Sequence, residues 1–170
     1  YDDLTNKELL GIFGFNYKFA MLITLFLQAY RYAAEPFFFA NAENENAKEV
    51  YAKSMHYFII AGCFIFLSVM VMIPFIQYSL LSFDPKYAEY FQGQNVIPIL
   101  LAANLLLGIY FNLSTWYKVT DKTHIGAMIS IFGATMTFVL NWIMIPRFGY
   151  TGAAVSTLLC YLSMVIVGYI

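Results

Sequence analysis

The chain has 170 residues, of which 61% are hydrophobic and only 11% charged, with a net charge of −1. Soluble domains run near one-quarter charged, and so few charges could not cover so much apolar surface in water. Composition therefore excludes an ordinary soluble domain, and the near-neutral balance gives no footing for a nucleic-acid partner. An all-α, polytopic transmembrane bundle is the expected fold class.

A bilayer span needs about 20 predominantly apolar residues. Five windows meet that length, at 13–39, 56–81, 96–117, 125–145 and 152–170, within one transmembrane region covering 1–170. The first opens after the polar stretch of residues 1–8, which starts without a Met, and the last is still apolar where it stops at Ile170. The expectation is a piece of a longer polytopic protein. Charges gather in the connections, and Trp116, Tyr117 and Tyr150 stand at span ends, where interfacial rings prefer to sit. Pro146, Gly149 and Gly152 mark a tight turn between the fourth and fifth windows. Lys48, Lys53, Lys118 and Lys122 lie in the first and third connections, near Arg31, against Lys7, Lys18, Lys86 and Arg147 on the other side. That tally favours a cytoplasmic side for the first and third connections.

The first window carries the informative polar residues. At 100° per residue, Tyr17, Thr24, Gln28, Arg31 and Glu35 fall within about 60° of one another and make one stripe. Arg31 and Glu35 are an i,i+4 pair, so each can partly neutralise the other at membrane depth. Two readings stand: both charges snorkel to the interface, or the stripe lines a hydrophilic cavity for a polar or anionic substrate. Thr24 and Gln28, too short to snorkel far, favour the cavity, and Pro36 is expected to kink the helix just beyond the pair.

Asn104, Gly108, Asn112 and Thr115 share one side of the third window; Ser130, Gly133, Thr137 and Asn141 share one side of the fourth. The fifth repeats the pattern with Gly152, Ser156, Cys160 and Ser163. Small, weakly polar residues at this spacing are ordinary packing surfaces between membrane helices; Asn104 and Asn141, with Asn112, are the candidates for a cavity. Cys63 and Cys160 sit in apolar runs and read as small hydrophobes rather than a disulfide. His56 and His124 stand at span ends as interfacial residues. The Asn112-Leu113-Ser114 sequon falls within a span and is discounted. The sequence offers no phosphate loop, metal-spaced His/Cys cluster or Ser/His/Asp set, so neither an enzyme nor a cofactor or metal is expected.

Three blocks resemble the second half of bacterial polysaccharide flippases, the lipid-linked oligosaccharide exporters of the multidrug/oligosaccharidyl-lipid/polysaccharide superfamily. They are 11–40, containing YKFAMLITLFLQAYRYAAEPFFFA; 96–123, VIPILLAANLLLGIYFNLSTWYKVTDKT; and 141–154, NWIMIPRFGYTGAA. The resemblance implies a two-lobe transporter of the bacterial inner membrane working by alternating access, with this chain in the C-terminal lobe and an N-terminal bundle as its partner. It also implies cavity-lining cations that meet the pyrophosphate of an undecaprenyl-linked glycan, a role Arg31 fits best. Other readings are a multidrug/cation antiporter of the same superfamily, with Glu35 as coupling carboxylate, a membrane-embedded glycan polymerase or transferase, and a scaffold subunit. The short loops count against the polymerase or transferase, and the polar stripe of the first window against the scaffold.

Overall fold

The computed structural model describes residues 6–169 apart from 43 and 45; the polar opening before residue 6 and Ile170 lie outside the described residues. The chain is helical, in the order α1 (Asn6–Ala40), α2 (Ala47–Phe83), the short α3 (Tyr87–Phe91), α4 (Val96–Val119) and α5 (Thr123–Tyr169), with no strand among the described residues. Four of these helices, α1, α2, α4 and α5, are long and apolar enough to cross a membrane. In hydrocarbon every backbone polar group must be satisfied within its own segment, which a helix achieves and an isolated strand does not.

α5 contains both the fourth and the fifth apolar windows. Its 47 residues would stretch about 70 Å as one rod, more than twice the hydrocarbon thickness. The rod is broken at Gly149, whose backbone adopts φ 55° and ψ −138°, a conformation open to glycine and costly for residues with a Cβ. The two arms, 123–148 and 150–169, then fold back on each other. Across the hairpin the Thr137 hydroxyl donates to Cys160 Sγ at 3.0 Å, and the Cys160 thiol donates to the Gly133 carbonyl at 3.2 Å. Gly152 lets the arms close near the bend, because a Cβ there would fall on the Met144 carbonyl.

α4 is the hub. It packs on α1, on α2 and on both arms of α5, and half of its apolar window is buried where the other spans bury far less. Isolated apolar helices gain little from lipid exclusion, so close packing and interhelical hydrogen bonds hold such a bundle. At the end formed by the start of α1, the end of α2, α3 and the α5 bend, one cluster knits everything together. Ala20 and Ile23 of α1 meet Val69 and Ile73 of α2, Ile97 and Leu101 of α4, and Ala154 of α5. At the opposite end the packing divides. Ala34 and Phe38 of α1 pack with Ala47 and Tyr51 of α2, whereas Tyr110 of α4 packs with Ile129, Cys160 and Met164 of α5.

Candidate functional site

The division at that second end leaves α1 flanked by α4 but without a shared core with the outer part of α5. The polar stripe of α1 borders this opening. The buried face of α1 runs through Ile12, Asn16, Ala20, Ile23, Leu27, Ala34 and Phe38, and the stripe sits on its flank, about 90° away by helical geometry. Along it Tyr17 and Gln28 are exposed, while Thr24, Arg31 and Glu35 are half-buried.

Arg31 and Glu35 form an ion pair, Nε to Oε2 at 3.8 Å, but that is the looser of two contacts. Lys118 of α4 closes on the other carboxylate oxygen, Nζ to Oε1 at 2.7 Å. The Arg31 guanidinium carbon rests 4.8 Å from the centre of the Phe111 ring, a cation–π contact. Glu35 is thus held chiefly by Lys118, and Arg31 keeps most of its hydrogen-bonding edge. With two cations and one carboxylate, the cluster carries a net charge of +1. Behind it, between α1 and α4, the crevice lined by Tyr30, Ala34 and Thr115 holds only about 10 Å³, roughly a single water at most. The space next to Arg31 therefore lies on its exposed side, not inside the bundle.

That inner side is sealed by a polar network. The Tyr30 hydroxyl donates to Asn112 Oδ1 at 2.8 Å and lies 2.9 Å from Ser54 Oγ, linking α1, α4 and α2. Asn112 Nδ2 donates back to the Gly108 carbonyl at 3.1 Å. Asn104 is buried and donates to the Ala20 carbonyl at 3.4 Å. Both amides therefore work in the α4–α1 packing. Asn141 lies on the first arm of α5, apart from the Arg31 cluster, and its buried Oδ1 has no hydrogen-bond partner. The structure brings Arg31 and Glu35 together with Lys118, places Thr24, Gln28 and Tyr17 along the same flank, sets Asn112 in the narrow crevice behind Arg31 and Glu35, and leaves Asn104 and Asn141 elsewhere.

Three contributors were not singled out from sequence. Lys118 follows Trp116 and Tyr117, so it reads as a loop residue past the membrane end, yet α4 continues to Val119 and carries it back onto Glu35. Phe111 has no marker in a run of apolar residues. Asn16 is fully buried at the sealed end, donating to the carbonyls of Ile12 at 2.8 Å and Tyr90 at 2.7 Å. Its signal was available: at 100° per residue it falls on the same face as Ala20 and Ile23. Among the described residues no three His, Cys, Asp or Glu side chains converge where they could hold a metal ion.

No curated protein and no solved structure matches the chain. A family profile, MatE, matches residues 4–143, from the start of α1 through most of the first arm of α5. With that match over most of the sequence, and with its apolar helices, the chain belongs to the MatE family of multi-pass membrane transporters in the multidrug/oligosaccharidyl-lipid/polysaccharide superfamily.

Proposed function

We propose that the protein moves lipid-linked oligosaccharide or polysaccharide precursors across the bacterial inner membrane by alternating access, with Arg31 holding the pyrophosphate of an undecaprenyl-linked glycan. The observation that carries this reading is the state of Arg31: set over the Phe111 ring, only loosely paired with Glu35, whose nearer partner is Lys118, and partly exposed. A planar guanidinium presents paired donors that match phosphate oxygens, and charge-assisted bonds of this kind are the strong ones. Moving such a substrate breaks no covalent bond. It requires a polar surface that shields the head group while the polyprenyl tail stays in lipid, and rocking of two lobes to change which side is open.

The antiporter reading places a proton- or cation-coupling carboxylate in the span. Glu35 fits that role poorly, since Lys118 and Arg31 already hold its charge. Arg31→Ala is expected to abolish surface-glycan export while the protein still inserts in the membrane. Unchanged export would reject the assignment of Arg31. Loss of cation efflux in Glu35→Gln, with glycan export intact, would favour the antiporter.

A further inference from the structure

At the sealed end of the bundle, about 20 Å along α1 from Arg31 by helical rise and on the opposite face of the helix, lies a cavity of about 580 Å³ between α1 and α3. Its wall is aromatic: the Phe15 ring stands 5.3 Å from Tyr90 and 6.3 Å from Tyr87, centre to centre. Its charge is cationic. Lys18 and Lys86 line it and make no ion pair among the described residues, while the only acid of the lining, Asp84, accepts the backbone N–H of Lys86 at 2.9 Å. The hydroxyls of Tyr87 and Tyr90 make no hydrogen bond to another described residue and are available as donors. On α1, Gly14 leaves the wall open, with nothing within 4 Å of where a Cβ would stand.

The surface that continues from this cavity is apolar. Lys18, Leu22 and Leu25 fall within about 60° on α1, and Leu22 and Leu25 are 45% and 67% exposed. A cationic, aromatic-walled cavity at the end of a span thus opens onto a greasy track running towards the bilayer centre. We propose that this cavity is a head-group site for an anionic glycerophospholipid, whose phosphate is held by Lys18 and Lys86 and whose acyl chain lies along Leu22 and Leu25. Lysines at this depth normally snorkel to the nearest phosphates, and here two of them line one open-mouthed cavity with aromatic donors beside them. The track is what commits the ligand to a lipid: free phosphate would use the lysines but not the leucines. The site is independent of the glycan reading, because it involves neither Arg31 nor the open flank.

The test is retention of lipid by the purified protein, read by native mass spectrometry after exchange into detergent with phosphatidylglycerol or phosphatidylcholine of equal chain length. Phosphatidylglycerol is expected to be retained in preference to phosphatidylcholine, and each of Lys18→Gln and Lys86→Gln should lower its retention roughly fivefold. Lys18→Arg/Lys86→Arg should restore retention, and Lys122→Gln at the opposite end should leave it unchanged. Equal retention of the two lipids overturns the proposal, as does a double Gln variant that retains phosphatidylglycerol like the parent. Displacement of the lipid by an equal concentration of inorganic phosphate overturns the commitment to a lipid. Should the Gln variants fail to purify, the preference of the parent protein for one lipid over the other decides the matter alone.

Discussion

Removing Lys118 should weaken anion capture at Arg31 through Glu35. In the present arrangement Arg31 and Glu35 lie 3.8 Å apart, with side chains 40% and 32% exposed. At an effective permittivity near 20 such a pair would be worth about 4 kcal/mol, and solvent screening at this exposure reduces that to about 1 kcal/mol or less. Lys118→Gln takes away the 2.7 Å partner, and Glu35 then turns onto its i,i+4 neighbour to make a full charge-assisted bond. An incoming phosphate has to displace that bond. The expected penalty is about 1–2 kcal/mol, or about 5- to 30-fold in apparent affinity. Lys118→Gln also deletes a positive charge, which would weaken anion binding by itself, so the double variant is decisive. If Lys118 acts by holding Glu35, Glu35→Gln should bind at least as tightly as the parent. Glu35→Gln/Lys118→Gln should then recover most of the loss. The assay is uptake of a polyprenyl-pyrophosphate glycan into proteoliposomes, titrated with substrate. A double variant as weak as Lys118→Gln alone would refute the arrangement, since Lys118 would then be contacting substrate directly.

Two further expectations concern the scaffold. Gly149→Ala forces a Cβ into φ 55° with open space around it, costing about 1–2 kcal/mol of conformational strain. Gly152→Ala drives a Cβ onto the Met144 backbone, which has no flexible side chain to give way, costing about 2–3 kcal/mol. In thermal unfolding by tryptophan fluorescence the second variant should therefore melt lower than the first, and the reverse order would contradict the hairpin geometry. At the sealed end, Asn16→Ala strands the Tyr90 carbonyl and removes a link between α1 and the α3 segment, for about 1–2 kcal/mol. The check is faster proteolytic cleavage within residues 84–95, and unchanged cleavage there would show that Asn16 does not anchor the segment.

The all-helical membrane fold was legible from composition because it follows from a bulk property: too little charge to wet the surface. The hairpin in α5 was legible for a local reason, since Pro146, Gly149 and Gly152 cluster between two apolar windows and a 70 Å rod fits no bilayer. The polar stripe was legible too, because 100° periodicity on a single helix needs no tertiary information. Its partner was not. Lys118 lies 83 residues from Glu35, and nothing in either segment states that α4 crosses α1 at that height. Asn104 and Asn112 show the converse. Their spacing on α4 is that of a cavity lining and equally that of a packing seam, and only the positions of Ala20 and Tyr30 on α1 distinguish the two.

The asymmetry of the bundle gives that placement its functional sense. At one end four helices share a core through residues as small as Ala20 and Ala154, so backbones approach closely. At the other end α1 leans on α2 and α4 while α5 packs separately on α4, and the only two-cation cluster among the described ion pairs sits at the parting. On the proposed function, phosphate held there would sit away from the tight end, with a carboxylate close by to reclaim Arg31 once the substrate leaves. A transporter needs its site to be vacated as well as filled. On the proposed function, Glu35, shared between a lysine that holds it back and an arginine it can rejoin, would supply the competing partner that keeps binding reversible, which is why its contact with Lys118 is the one to perturb first.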